Sequence, residues 1–179
     1  MRVISSNEGA TMSDPVLDRR SIRKYTDQPV PDEHVETLLK AAMSAPSAGN
    51  QQPWHFVVIR DRAVLDAVPA FHPYARMMVK APVAILVCGD EALEKSKGFW
   101  VEDCSAATEN VLIEAQELGL GSVWLGLYPR QDRVRKMRAL IPGMPDHVIP
   151  FALLPVGYPA ESKKPSHRYH EDRVHHDTW

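Results

Sequence analysis

Arg19, Arg20, Arg23 and Lys24 crowd into six residues around Ser21, in a chain of 179 residues whose formal net charge is -2. Arginine offers planar, permanently charged donors that match phosphate oxygens, and a serine hydroxyl adds one more. Such a cluster therefore fits a phosphate site, although alone it fits a solvated basic face equally well. A second group is the loop Pro46 to Trp54. Ser47, Asn50, Gln51 and Gln52 supply amide and hydroxyl groups there, and Ala48 and Gly49 let backbone come close to a flat ligand. The edge of a heteroaromatic ring, carrying donors and acceptors together, needs this mixture. A third is Trp124-Leu125-Gly126-Leu127-Tyr128, where Gly126 could bring backbone N–H groups to a ring. The fourth is Lys163 to Tyr169, from which Lys163 or Arg168 could close on the same phosphate. Taken singly, these read as a polar turn, a strand end and a solvated tail.

The elements that must position these groups follow from pattern. Asp14 is an N-cap candidate before Pro15, so a short helix should run into the basic segment. Pro29 and Pro31 break the chain. Val35, Leu38, Leu39, Ala42 and Met43 then place one apolar face on a helix from Asp32 to Ser44, which Pro46 ends. Trp54 to Arg60 reads as a strand, Asp61 to Val68 as a short helical piece and Pro69 to Tyr74 as irregular chain. Pro82 to Cys88 is a continuous apolar strand expected to be buried on both faces. The clearest helix runs from Phe99 to Leu118, with Cys104, Ala107, Val111, Ala115 and Leu118 as its stripe and Gly119 and Gly121 at its end. Ser122 to Gly126 reads as one short strand, Asp132 to Leu140 as a basic helix, and His147 to Gly157 contains a further strand. There is no internal repeat and no linker. Strands alternating with helices imply a mixed α/β or α+β three-layer architecture. The polar tail after Tyr158 has no core pattern, and a partner subunit is the obvious surface for it.

Composition excludes several classes. Apolar content of 44% and charged content of 25% are those of a globular protein. The charge balance gives no general attraction for nucleic acid or an anionic membrane, and no run approaches the roughly 20 apolar residues of a membrane span. Residues 1–13 read as a flexible extension without the apolar core of a signal peptide. Cys88 and Cys104 belong to no metal spacing, so buried free thiols in a reducing cytoplasm are expected. His167, His170, His175 and His176 show no recognised ligand spacing, and no metal site is expected.

The four groups occur in the order of a known family. Arg19-Arg20-Ser21-Ile22-Arg23-Lys24-Tyr25 resembles the N-terminal phosphate and flavin motif of the nitroreductase family. Ala45-Pro46-Ser47-Ala48-Gly49-Asn50-Gln51-Gln52-Pro53-Trp54-His55-Phe56 resembles its signature loop, and Trp100 through Gly121 its long central helix. Arg168 lies where a late basic residue is usual. The resemblance covers about residues 14 to 174.

The resemblance implies an α+β, nitroreductase-like three-layer α/β/α sandwich with a mixed central sheet, formed by residues 14–179, with the C-terminal extension exchanged between subunits of a homodimer. It implies bound FMN at the dimer interface. Arg19 and Arg168 would hold the phosphate, with Arg20 and Ser21 near the phosphate and ribityl chain. Arg23 would face the pyrimidine edge, where two-electron reduction places negative charge that a fixed guanidinium stabilises. Pro46, Ser47 and Asn50 would come from the other subunit, and Leu125 and Gly126 would approach the ring near N5. No catalytic side chain is required. NADH or NADPH would donate hydride and a small nitroaromatic, quinone or activated alkene would accept it, in a ping-pong cycle in the cytoplasm. The absence of a GxGxxG motif makes the nicotinamide a transient substrate. A flavin-dependent dehalogenase or dehydrogenase of the same fold is one alternative. A non-catalytic FMN-binding or storage protein is another, favoured if Trp100, Trp124, Tyr128 or Tyr74 were stacked on the ring. Between Arg60 and Pro82 the chain is shorter than the larger members, and Tyr74 and Met77 are the residues there that could reach the flavin.

Overall fold

The computed structural model describes residues 14–164, 166 and 168–179; the expected N-terminal extension, residues 1–13, lies outside the described residues. Strand β1 (Trp54–Ile59) pairs antiparallel with β2 (Val83–Asp90), and β2 pairs antiparallel with β5 (Val148–Gly157) across a register shift between Val87 and Cys88. Two short strands, β3 (Gly121–Ser122) and β4 (Leu125–Gly126), pair with β5 beyond it. The named strands are antiparallel, and among the described residues one parallel bridge, Ser21 to Ser122, makes the sheet mixed.

Every residue of β2 is buried, as its apolar run requires, because helices cover both faces. Val83, Ile85 and Val87 pack with Leu38 and Ala42 of α2 (Asp32–Met43) and with Ala107, Val111 and Ala115 of α4 (Trp100–Glu117). The alternate residues Ala84, Leu86 and Cys88 pack on the other side with Leu65 of α3 (Arg62–Ala67), Met78 of the short turn Arg76–Val79 and Met137 of α5 (Gln131–Ala139). The period of two along a strand thus divides one apolar run between two cores, which gives the three layers expected. Val35, Leu38 and Ala42 of α2 are buried, but Met43 is exposed. At 3.6 residues per turn Met43 lies roughly 110° from the centre of that stripe, just outside it.

The segment read as one strand, Ser122 to Gly126, is interrupted. Gly121 and Ser122 face Gly157 and Val156, and Leu125 and Gly126 face Leu153 and Ala152. That is one continuous register, in which Val123 falls opposite Pro155. Proline has no N–H to give the ladder, so pairing stops there and resumes beyond.

Both cysteines are free and buried. Burial pushes the Cys88 thiol up to about 12 and raises Cys104 as well, so neither is a nucleophile at neutral pH. No helix among the described residues is long and apolar enough to cross a membrane, and those residues hold no cluster of three metal-ligating side chains.

Candidate functional site

The basic segment is an extended strand-like run laid against β3. Asp14 caps α1 (Pro15–Asp18), accepting from Val16 N and Leu17 N, and so sets where the run begins. Ile22 N donates to Ser122 O at 2.9 Å. Ile22 approaches Gly121 so closely that a Cβ there would stand 2.6 Å from Ile22 Cγ2, so position 121 has room only for glycine. Tyr25, buried, donates its hydroxyl to Ile22 O at 2.9 Å, with Pro155 O 3.3 Å away; burial raises its phenol far above the ordinary value. Alternate residues of an extended run face opposite ways. Arg20 and Ile22 accordingly line a cavity of about 600 Å³ with Gln116, Gly119 and Lys163, while Arg23 lines a different, smaller one.

The arginines are not equivalent. Arg19 Nε stands 3.0 Å from Glu109 Oε1, but its N–H does not point at that oxygen and has no hydrogen-bond acceptor among the described residues. Arg20 donates to three carbonyls, those of Leu17 (2.8 Å), Lys164 (3.0 Å) and Arg19. Lys163 donates to Ser21 O, and Glu161 accepts from Arg23 N at 2.6 Å, a bond that holds the Glu161 carboxyl below the usual range. The start of the C-terminal arm is therefore clamped across residues 20–23, and Lys163 is the late basic residue brought to the motif. Arg168 is exposed further along and makes no hydrogen bond to the cluster among the described residues.

These residues fit a phosphate-bearing ligand. Arg19 Nε and Arg20 Nη2 are buried N–H groups without acceptors among the described residues, and Ser122 Oγ, on the residue bridged to Ser21, is buried and unpartnered too. A buried donor without an acceptor costs about 1–3 kcal/mol, and an anion supplies the missing acceptor.

The loop after α2 is built around a carboxylate that the sequence reading missed. Asp103, in the first turn of α4 and 4% exposed, accepts from Ala48 N at 2.9 Å and from Gln51 Nε2 at 2.7 Å. Gln51 Oε1 in turn accepts from Lys95 N and Ser96 N. This network holds Gly49, Asn50 and Gln52 at φ of 55°, 52° and 49°, a left-handed conformation that only glycine adopts freely. Ser47 Oγ accepts from Gln52 N, and Asn50 Oδ1 from Gln52 Nε2; exposed Pro46 and half-buried Ser47 line a shallow pocket with Phe99 and Glu102. The available signal was an aspartate on the apolar side of α4, between Trp100 and Ala107 at helical spacing.

Leu125 is buried, whereas a Cβ on Gly126 would meet nothing within 4 Å. The Gly126 carbonyl is held from behind by His72 Nε2 at 3.1 Å and Arg133 Nη1 at 2.9 Å. His72 is 2% exposed, and burial lowers its pKa, with the Arg133 charge acting in the same direction. The folded protein therefore keeps His72 neutral where the unfolded chain would protonate it. Stability from this site is complete above the ordinary histidine value and falls as pH drops through and below it. The urea midpoint is expected to fall from pH 7.5 to pH 5 more steeply in the wild type than in His72→Gln, which cannot titrate; equal slopes would remove His72 from this account.

Four aromatic residues were candidates to cover a bound ring. Trp100 is buried edge-on to Tyr128 (4.7 Å) and Phe151, and Trp124 packs on Phe151 (5.7 Å). Tyr74 alone of the four is largely exposed.

The family model described as the nitroreductase family matches residues 16–72 and 67–158. A protein of Methanothermobacter thermautotrophicus that carries, by inference, the name NADH dehydrogenase/NAD(P)H nitroreductase is 51% identical over 164 residues, covering 92% of this chain and 85% of its own. A crystal structure from Clostridium acetobutylicum, assigned by inference as an NADH oxidase, superposes with a TM-score of 0.89 at 42% identity, covering 93% of this chain and all of the other. A crystal structure from Desulfovibrio desulfuricans, described as an inferred nitroreductase in complex with FMN, has a TM-score of 0.79 at 32% identity, over 92% and 95% of the two chains.

Proposed function

The chain belongs to the nitroreductase family, and from that membership we infer that it is an FMN-dependent NAD(P)H oxidoreductase that passes hydride to a small organic acceptor by a ping-pong cycle. The observation that carries this reading is the run of arginines with buried, unspent N–H groups on the segment laid against β3, at the matched family motif. Bound FMN would supply the redox chemistry, taking two electrons from the nicotinamide and giving them to the acceptor.

The chain's own residues bind and orient. Arg19, Ser21 and Arg23 share one face of the extended run, which suits them to the phosphate, ribityl chain and pyrimidine edge respectively. Arg23 fixes a positive charge where reduction adds a negative one. Arg20 ties the arm to the motif through one hydrogen bond, Nε to Lys164 O, spends Nη1 on Leu17 O and Arg19 O, and keeps Nη2 for the ligand. Arg168, beyond the clamp, completes the phosphate site. Leu125 anchors β4 in the core, and Gly126 admits the ring without a Cβ in the way.

A homodimer that shares its sites suits the geometry of α4. Asp103, which organises the Pro46–Asn50 loop, and Glu109, which touches Arg19, are six residues apart. That separates them by about 9 Å along the helix and about 120° around it. Pro46, Ser47 and Asn50 are thus turned away from the arginines of their own chain and are free to serve a partner's flavin, with the exposed arms exchanged between subunits. The storage reading loses three of its four covering rings, since Trp100, Trp124 and Tyr128 are committed to core packing, and only Tyr74 of the four stays exposed.

The test is an anaerobic titration of the FMN-loaded protein with NADH and then NADPH, on a sample sized by light scattering. Rapid bleaching of the flavin band in a dimer is expected. A flavin-loaded monomer would sink the shared site, and a dimer whose flavin neither nucleotide bleaches would sink the oxidoreductase reading.

A further inference from the structure

Resting on the flavin reading above, we propose that Arg76 and Tyr74, beside Arg23, form an acceptor subsite selective for planar aromatic acceptors that carry a carboxylate. Arg23, Pro73, Tyr74, Arg76 and Met77 line a cavity of about 230 Å³. Two of the five are guanidinium-bearing and none is acidic. Arg76 is exposed and makes no ion pair or side-chain hydrogen bond among the described residues, so its donors are available to a ligand in the cavity.

Two contacts tie the cavity to the assigned flavin site. Arg23, which lines it, is the residue assigned to the pyrimidine edge of the flavin. His72, whose ring meets that of Tyr74, is bonded to the Gly126 carbonyl at 3.1 Å, at the assigned N5 approach. The subsite therefore opens next to the ring over which an acceptor must lie. Its parts match one class of ligand. Tyr74 is 70% exposed and meets the His72 ring edge-on at 6.3 Å, which holds the phenol while leaving ring surface free for stacking. Buried Met77 gives an apolar floor. Arg76 supplies a fork of donors that a carboxylate can meet with two oxygens.

The experiment uses oxidised, FMN-loaded protein without a reductant, so that the probes bind but do not react. Binding of 4-nitrobenzoate and of its uncharged methyl ester is read from the flavin difference spectrum, in the wild type and in Arg76→Gln. FMN affinity is measured in parallel by flavin fluorescence. The wild type should bind the acid about tenfold more tightly than the ester, as loss of one charge-assisted pair implies. Arg76→Gln should bind the two alike, with FMN affinity unchanged and ester affinity within about twofold. Equal affinity for acid and ester in a flavin-loaded wild type overturns the subsite and leaves the flavin reading standing. A preference that survives Arg76→Gln overturns it. A tenfold loss of FMN affinity in the variant overturns it by assigning Arg76 to the cofactor. A wild type that takes up no FMN overturns the flavin reading and the subsite together.

Discussion

Replacing Arg19 and Arg168 together by alanine should weaken FMN binding by about two to four orders of magnitude. A hydrogen bond to a charged group contributes about 1.5–3 kcal/mol, so two lost guanidinium contacts amount to roughly 3–6 kcal/mol, at about 1.4 kcal/mol per tenfold. The two single variants should differ. Arg19→Ala leaves Glu109, 3.0 Å from the lost Nε, facing the phosphate without its counter-charge. Arg168→Ala removes an exposed side chain and leaves no such repulsion, so it should be the milder. Arg20→Ala provides a contrast, because most of that guanidinium is committed to the carbonyls of Leu17, Arg19 and Lys164. Its main effect should be to loosen the arm, seen as faster proteolysis near Lys164, with a smaller loss of flavin. The measurement is titration of apo-protein with FMN, followed by quenching of flavin fluorescence. A double variant that binds FMN within threefold of the wild type would remove both residues from the phosphate site.

The parts of this architecture that sequence made legible are those governed by local period. The burial of β2 on two sides, the apolar stripe of α4 and the Asp14 cap each depend on residues within a turn or a strand of one another. What escaped depends on partners far along the chain. The break between β3 and β4 is caused by Pro155, which lies opposite Val123 only after the sheet has formed. Arg20 looked like a phosphate ligand by type, yet it spends three hydrogen bonds on backbone, one of them 144 residues away at Lys164. The His72–Gly126–Arg133 contact joins three elements that no spacing links. The motif residues themselves were recognisable because their order along the chain is specific, but order does not say which donors are already engaged.

Asp103→Ala is the second large effect, and it should reach flavin binding through a loop rather than by contact. The variant leaves Ala48 N and Gln51 Nε2 without their acceptor. At about 1–3 kcal/mol for each buried donor so stranded, the loss is roughly 2–6 kcal/mol, with a further few tenths from removing a negative charge in the first turn of α4. The backbone amplifies this. Asn50 and Gln52 have positive φ and persist there only while their surroundings hold them. Released from Asp103, the loop should relax, and Pro46, Ser47 and Asn50 would no longer be presented to a partner's flavin. Loss of stability and loss of FMN affinity are therefore expected together, the second by one to two orders of magnitude. Asp103→Asn separates organisation from bulk: it keeps the volume and one acceptor oxygen, but its amide nitrogen cannot accept the second donor. It should fall between the wild type and the alanine variant in both measurements. Amide hydrogen exchange at Ala48 reads the loop directly, since that N–H is protected by the Asp103 carboxylate at 2.9 Å. Faster exchange at Ala48 in step with weaker FMN binding is the expected pattern across the series. An alanine variant whose Ala48 amide stays protected, or whose loop opens without any change in FMN affinity, would break the link between the Asp103 network and the flavin site.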